Sequence, residues 1–298
     1  MVTVKRVLLL LVICGIVWFC LPKKENPYPR ESFVVVGSPM TVYSWNPRDR
    51  SLLRISIPET VAAEGTHGYG TYSLAAFWRL GQIDKKDGSV LAESVSEALG
   101  IPVTGYIGAK TGVLTNDIFT FAHSISYLRG VFLTNMSLPA FMHFVWLLRV
   151  AKPAHIDDYD FTHNPGLIAD DVVIADGSHQ LILNPDRVDA RLAHIFEDEA
   201  VRRETVTTAV YNTTEMQSLG SRVARLLSTL GVSVVYVGND TQEVDACVVT
   251  GTKDALGKGS AKVIQSVLGC VLKEISEPDR ADLTVRIGKS YAKRFIPN

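Results

Sequence analysis

The sequence predicts an α/β (α+β) fold, with two mixed α/β modules behind a single N-terminal transmembrane helix. Three observations predict it: an apolar run near the N-terminus, short strands alternating with helices from Ser32, and a second such alternation from residue 205. With 298 residues, 47% of them hydrophobic, the chain can bury one or two ordinary cores. A net charge of −1 provides no basic field, so nucleic acid is not expected as a partner.

The apolar run Val7–Pro22 is preceded by Lys5 and Arg6 and closed by Lys23 and Lys24. As a helix it spans roughly 24 Å, which is slightly short for a hydrocarbon core of about 30 Å. The flanking lysines and arginine can extend towards the headgroups, so that a span is feasible. The excess of positive charge before the run predicts a cytoplasmic N-terminus.

We therefore expect residues 1–24 to form an uncleaved signal anchor in the cell membrane, with a linker at 25–31 and residues 25–298 outside the cytoplasm. A cleaved signal peptide is a less favoured alternative, because Trp18–Pro22 lacks small residues near a cleavage point. A lipid anchor is a further alternative, although no small residue precedes Cys14.

The first module is expected to cover residues 32–185. Its predicted strands are Phe33–Gly37, Met40–Trp45, Leu52–Ile57, Val172–Ala175 and Leu181–Leu183. Its predicted helices are Thr71–Leu80, Gly88–Leu99 and a helical region over 111–152. Within that region we interpret Met136–Val150 as a core helix rather than a second span, because it is short and contains Pro139 and Arg149. Residues 153–175 are acidic and predicted to be mainly loop.

A charged helix at Asp186–Arg203 is expected to connect the modules, and the second module to cover 205–292. Its predicted elements are a strand from Val206, a turn at Asn212–Thr214, a helix over 218–230 and, further on, strands Ser233–Val237, Cys247–Thr250 and Leu283–Ile287 with a helix at Ser260–Leu268. The order β-α-β-β-α-β predicts a split, ferredoxin-like sandwich.

The four cysteines divide into two pairs. Cys14 and Cys20 lie in the predicted anchor, whereas Cys247 and Cys270 both lie in the second module. Outside the cytoplasm the second pair can form a disulfide. Two separate buried thiols are the alternative.

The segment VTTAVYNTTEMQSLGSRVARLLSTLGVSVVYVGND, residues 206–240, resembles the C-terminal domain of LytR-type cell-envelope proteins. Asn212 and Thr214 match the Asn-Gly-Thr turn of that family, whereas Thr213 and Glu215 replace its glycines. The resemblance implies a bacterial protein located at the cell wall.

Three segments of the first module resemble the LytR–CpsA–Psr (LCP) catalytic domain: Thr41–Thr60, Tyr72–Phe77 and Leu99–Tyr106. The resemblance implies transfer of glycopolymers from a polyprenyl-pyrophosphate carrier to the wall. Arginines would bind the pyrophosphate and carboxylates would hold Mg²⁺, because phosphoryl transfer needs positive charge on the phosphate oxygens.

The positions that carry this chemistry are replaced in this chain. Glu59 and Thr60 stand where the family has Arg-Asp, Ser38 stands at an acidic position, and Tyr72 stands at a lysine. Glu59 would repel pyrophosphate, and Ser38 cannot supply the charge that Mg²⁺ favours. We therefore expect a pseudoenzyme with no catalytic residues, no cofactor and no metal site.

Two charged groups remain as candidates. The cluster around His155, Asp157 and Asp158 has metal-ligand residue types, but a solvated loop explains it better. Arg222 and Arg225 could contact an anionic polymer, although a solvated helix face is the alternative. The predicted binding residues are therefore Asn212, Thr214, Arg222 and Arg225.

The combined prediction is a non-catalytic binding or adaptor module in cell-wall or glycopolymer assembly, with a wall polymer or an envelope protein as its partner. One alternative is a divergent LCP-type phosphotransferase that uses displaced arginines, namely Arg48, Arg50, Arg54 or Arg129. Another is a membrane-anchored structural protein without a ligand.

Overall fold

The fold is taken from a computed structural model that describes residues 30–48, 50–110, 114, 126–147, 155–174 and 177–296. The predicted anchor at 1–24, most of the linker, and parts of the helical region over 111–152 lie outside the described residues. None of the helices in the described part of the chain is long and apolar enough to cross a membrane.

A six-stranded mixed sheet forms the centre of the N-terminal module. Its strands are β1 (Glu31–Val35), β2 (Met40–Asn46), β3 (Ser51–Ile57), β6 (Gly105–Ala109), β7 (Phe132–Thr134) and β8 (His155–Asp160). The order across the sheet is β7-β6-β1-β2-β3-β8. The antiparallel meander β1-β2-β3 matches the predicted strands to within two residues, and β6 and β8 each pair in parallel with one of its outer strands.

Both faces of this sheet are buried, because alternate residues of its central strands enter two different cores. Val34, Val42 and Ile55 pack on one face, and Phe33 and Tyr43 pack on the other. Three longer helices cover these faces: α1 (Leu74–Ile83), α2 (Ser89–Leu99) and α3 (Leu138–Trp146). Helix α3 buries Phe141, Phe144 and Val145 in the second core, which agrees with its interpretation as a core helix.

A second, four-stranded sheet packs beside the first. Its strands, in spatial order, are β5 (Gly70–Ser73), β4 (Ala62–Gly65), β10 (His179–Leu183) and β9 (Ala169–Val173). Strands β4 and β5 form a hairpin that the sequence did not predict. Because Thr71–Ser73 pair with β4, helix α1 begins at Leu74 instead of the predicted Thr71.

The prediction of a mainly loop-like segment over 153–175 was wrong in two places. Residues His155–Asp160 form β8, an edge strand parallel to β3, and residues Ala169–Val173 form β9, where a strand was expected only from Val172. Five of the six side chains of β8 are exposed, so that the strand has none of the apolar alternation that marks a half-buried strand.

The predicted connecting helix is two helices, α4 (Pro185–Phe196) and α5 (Glu199–Arg202). Val188, Leu192 and Phe196 of α4 belong to the N-terminal core, whereas Val201 of α5 belongs to the C-terminal core. The side chain of Asn184 caps α4 by accepting hydrogen bonds from the backbone of Asp186 and Arg187. The connection is therefore packed on both modules.

The C-terminal module is a five-stranded sheet with helices packed on one face. Its elements are β11 (Thr207–Asn212), α6 (Leu219–Thr229), β12 (Ser233–Asn239), β13 (Val248–Gly251), α7 (Lys253–Gly257), α8 (Gly259–Leu268), β14 (Val271–Glu274), β15 (Leu283–Ile287) and α9 (Lys289–Ala292). The strand order is β12-β11-β15-β13-β14. Strands β12, β11 and β15 run parallel to one another, and β15 pairs antiparallel with β13.

The predicted split sandwich was therefore wrong in its strand count and order. In the split arrangement the second and third strands are neighbours, but here β11 and β15 lie between β12 and β13. The additional strand β14 has four residues, three of them exposed, and so resembles a loop in the sequence. It is held by parallel pairing with β13.

Cys247 and Cys270 form a disulfide, with their Cα atoms 4.4 Å apart. The two residues immediately precede β13 and β14, and the backbone amide of Val271 donates to the carbonyl of Cys247 at 2.9 Å. Both cysteines are buried in the C-terminal core. The bond therefore fastens the short edge strand β14 to the sheet.

If this disulfide forms in solution, the chain from residue 30 onward should contain no alkylatable thiol under denaturing, non-reducing conditions. Mass analysis after alkylation measures this directly, and two modified cysteines would contradict the bond. Reduction should lower the free energy of unfolding by roughly 3 kcal/mol, because it releases a closed loop of about 24 residues in the unfolded chain.

Glu204, between α5 and β11, caps helix α8. Its carboxylate accepts hydrogen bonds from the backbone amides of Gly259 at 2.7 Å and Ser260 at 2.9 Å, and from the Ser260 hydroxyl at 2.9 Å. Burial acts to raise the pKa of Glu204, but these hydrogen bonds outweigh it and the pKa is lowered. The capping stabilisation is therefore present at neutral pH and is lost as pH falls through the lowered pKa.

We expect Glu204→Ala to lower the free energy of unfolding by about 1–2 kcal/mol at pH 7, as loss of a helix cap does. The difference from the parent should shrink as pH falls through the lowered pKa of the parent carboxylate. Denaturant unfolding at pH 7 and at acidic pH measures both effects. Glu277→Ala, at an exposed glutamate, is the matched control, and equal stability of the parent and Glu204→Ala at pH 7 would refute the cap.

Candidate functional sites

Two positions of the LCP-like segment, Ser38 and Glu59, meet in the N-terminal module at the loops that follow β1 and β3. The Ser38 hydroxyl donates a hydrogen bond of 2.6 Å to the carboxylate of Glu59. The backbone carbonyl of Glu59 accepts from the amide of Ala75 in the first turn of α1. The loop after β3 is thus held against α1. The side chain that this loop places beside Ser38 is the carboxylate of Glu59.

Tyr72 lies in β5, two residues before helix α1 begins, and is 48% exposed. It lines a shallow groove of about 280 Å³ with Ser73, Ala75 and Arg79 among its neighbours. Thr60 is exposed in the turn between β3 and β4. Of these positions, the structure brings Ser38 and Glu59 into contact, whereas Tyr72 lines a separate groove.

Two of the arginines proposed for a displaced transferase site form ion pairs elsewhere. Arg48 donates to Asp198, between α4 and α5, at 2.6 Å. Arg54 on β3 is paired with Asp158 on β8, with Nε to the carboxylate at 2.9 Å, which is a cross-strand pair at the edge of the sheet. The acidic stretch that suggested metal ligands therefore contributes a partner for Arg54. Among the described residues, no group of three or more His, Cys, Asp or Glu side chains could hold a metal ion.

Arg225 of α6 is a central contact between the two modules. Its guanidinium donates to both carboxylate oxygens of Asp189 on α4 at 2.6–3.0 Å. It also donates to the carbonyls of Glu97 at 2.8 Å and Ala98 at 3.2 Å, at the C-terminal end of α2. Carbonyls in the last turn of a helix carry partial negative charge and lack helical partners. Arg225 supplies donors to them.

Arg222, one turn earlier on α6, extends the same contact. Its guanidinium donates to Glu64 of β4 at 2.7 Å and lies 5.3 Å from the centre of the Phe295 ring. Arg222 and Arg225, predicted as polymer-binding residues, thus both bind acidic groups of the N-terminal module. Their contact with a polymer remains a prediction, and it would have to compete with these ion pairs.

Glu97 lies between the modules, near three arginines of the C-terminal one. Burial raises the pKa of Glu97, although Arg222, Arg294 and Arg225 act to lower it. The Tyr291 hydroxyl donates to its carboxylate at 3.4 Å, and burial together with Glu97 raises the pKa of this tyrosine. Sequence analysis missed Glu64, Glu97 and Asp189, because only the docking of the two modules makes them neighbours of the arginines.

Several cavities have walls from both modules, and two of them contain arginines of this contact. One, of about 400 Å³, has walls from both modules and includes Arg222 and Arg225, and the other, of about 260 Å³, includes Glu93 and Arg294. The backbone amide of His67 also donates to the carbonyl of Arg294 at 2.6 Å. The modules are thus joined by ion pairs and backbone hydrogen bonds, with cavities left between these contacts.

Asn212 and Thr214 form a closed turn at the C-terminal end of β11. The Asn212 side-chain oxygen accepts from the amide and hydroxyl of Thr214, and its side-chain amide donates to the carbonyl of Met216 at 2.7 Å. This is the arrangement by which asparagine stabilises a turn without glycine. The structure therefore uses both side chains to shape the turn. Direct contact of either with a ligand remains a prediction.

This turn forms one wall of a cleft of about 570 Å³ at the C-terminal ends of β11 and β12. The opposite wall contains Asn239, Asp240 and Thr241, and the amide of Asp240 donates to the carbonyl of Asn212 at 3.0 Å. Asp240 is held by Arg286 at 2.9 Å. Hydrogen bonds to the Gln242 amide and Arg286 lower the pKa of Asp240, so that it is ionised at neutral pH.

Residues 205–291 match the family described as LytR cell envelope-related transcriptional attenuator. The match confirms the prediction of a LytR-type C-terminal domain, and its bounds agree with the structural module. No curated protein matches the sequence.

Several solved structures are similar to the chain, and among them are LCP-family proteins. The structure of B. subtilis TagT is 13% identical with a TM-score of 0.37, and covers 58% of this chain and 91% of its own. The LytR-CPS2A-psr family protein YwtF (TagT) with bound octaprenyl pyrophosphate has the same identity and coverage with a TM-score of 0.38. B. subtilis TagU is 10% identical, with a TM-score of 0.36, and covers 54% of this chain and 93% of its own.

The buried position of Glu97 predicts a defined pH dependence. Because its folded pKa is raised, ionisation costs stability above that pKa and costs nothing below the unfolded value of about 4.5. We expect Glu97→Gln to be more stable than the parent at pH 8 and equal to it at pH 4. Thermal unfolding at both pH values tests this. A less stable variant at pH 8 would mean that attraction to the arginines outweighs burial.

Proposed function

We propose that this chain is a membrane-anchored, outward-facing cell-envelope protein that acts without catalysis, as a binding or adaptor module in cell-wall or glycopolymer assembly. The match of residues 205–291 supports the association with the cell envelope. The predicted anchor supports attachment to the membrane with the modules outside.

The observation that carries the non-catalytic reading is the contact between Ser38 and Glu59. In the LCP domain that the first module resembles, the corresponding positions supply an acidic metal ligand and a phosphate-binding arginine. Here they supply a hydroxyl and a carboxylate joined by a 2.6 Å hydrogen bond. A carboxylate repels a pyrophosphate, and a neutral hydroxyl lacks the charge that Mg²⁺ favours.

The second candidate is a divergent phosphotransferase that attaches polyprenyl-pyrophosphate-linked glycopolymers to the wall. It would require cationic side chains elsewhere in the module. Arg48 and Arg54 are paired with Asp198 and Asp158, which opposes their use, whereas Arg129 is exposed. The two candidates differ in whether inorganic pyrophosphate binds in the presence of Mg²⁺.

We expect residues 30–298 to be retained on purified cell-wall sacculi and to show no Mg²⁺-dependent binding of pyrophosphate by calorimetry. A matched variant, Glu59→Arg, should leave retention unchanged, because the wall-binding role is assigned to the C-terminal module. Pyrophosphate binding by the parent that depends on Mg²⁺ would favour the transferase. Absence of retention would reject the wall-binding role itself.

A further inference from the structure

The cleft between the turn after β11 and the end of β12 has the position of a ligand site. Strands β11, β12 and β15 are parallel, and the cleft lies outside the C-terminal ends of the first two. In doubly wound α/β sheets, ligands bind outside the C-terminal ends of the parallel strands, and this cleft lies at the corresponding end of a sheet that helices cover on one face. Its volume of about 570 Å³ falls in the range of small-molecule sites and can hold a short oligosaccharide.

The walls of the cleft are held in place before any ligand arrives. The Asn212 side chain is hydrogen-bonded at both ends, and Asp240 is fixed between Arg286 and the amide of Gln242. The Thr213 hydroxyl donates to the carbonyl of Ile287 at 2.8 Å, which ties the turn to β15. A preorganised wall lowers the entropic cost of binding.

The lining defines the chemistry of the ligand. It consists of amides, hydroxyls and carboxylates together with Met216, and none of the described residues in it is a lysine or arginine. The exposed side chains of Gln217 and Asn239 form no hydrogen bond with other described residues, so that they are available to a ligand. Amide groups can both donate and accept, and carboxylates accept from hydroxyls.

The charges in the cleft disfavour an anionic polymer. Three of its residues are acidic: Glu215, Asp240 and Glu243. Arg286 and Lys289 pair with the last two, but neither cation belongs to the lining. A phosphodiester entering the cleft would meet three carboxylates and no cation of the lining itself, and like charges repel one another.

From these observations we infer that the cleft at the ends of β11 and β12 is a binding site for a neutral glycan rich in hydroxyl and amide groups. This inference rests on the proposed function, since it specifies which component of the wall the C-terminal module contacts. It also assigns a different role to the arginines of α6, which hold the two modules together instead of contacting the polymer.

The test uses the full chain in detergent and an N-acetylglucosamine tetrasaccharide as probe, with inorganic polyphosphate as the anionic comparison. We expect the tetrasaccharide to bind and polyphosphate not to compete. The double variant Gln217→Ala with Asn239→Ala should bind the sugar about tenfold more weakly, because it removes two neutral hydrogen-bonding groups. Gln265→Ala, at an exposed glutamine on α8, is the matched control and should bind as the parent does.

Circular dichroism of each variant checks that the fold is kept. Equal affinity of the double variant and the parent, absence of sugar binding by the parent, or preferential binding of polyphosphate would each overturn the assignment. Retention on sacculi, measured in parallel, separates the two proposals. If sacculi retain the double variant as well as the parent, the wall-binding role is kept and the cleft is rejected as the site of wall contact. If the parent binds the sugar but is not retained on sacculi, only the wall-binding role is rejected.

Discussion

The arrangement of the two modules depends on Arg225. Its guanidinium joins the carboxylate of Asp189 on α4 to the last carbonyls of α2, and it does so from the middle of α6. Three helices from both modules thus share one planar cation, whose fork of donors suits a carboxylate and two carbonyls at once. A lysine could not satisfy the same set, because its ammonium group cannot span this geometry. Arg222 and Glu97 belong to the same contact between the two modules.

The contact between the modules and the pair Ser38–Glu59 lie in different parts of the N-terminal module. The acidic residues Glu64, Glu97 and Asp189 face the basic α6 of the C-terminal module, whereas Ser38 and Glu59 lie at the loops after β1 and β3. The residues that dock the two modules are therefore separate from Ser38 and Glu59.

The sequence predicted the position of an element correctly where its apolar pattern indicates which side chains are buried. The meander β1-β2-β3 alternates apolar side chains, α6 presents an apolar stripe, and both were located to within a few residues. It failed where tertiary pairing overrides weak patterns. Strand β8 is polar and exists because β3 offers an edge, and β14 exists because β13 and the disulfide hold it.

By itself the sequence determined the class of fold, the two modules and the LytR-type C-terminal domain. These depend on residue identity and on local periodicity, which the chain carries along its length. Only the tertiary structure decided the order of the five-stranded sheet, the engagement of Arg222 and Arg225 by the other module, and the cleft beside Asn212. Each of these depends on which distant groups become neighbours, because strand edges and charges select their partners only once the cores have formed.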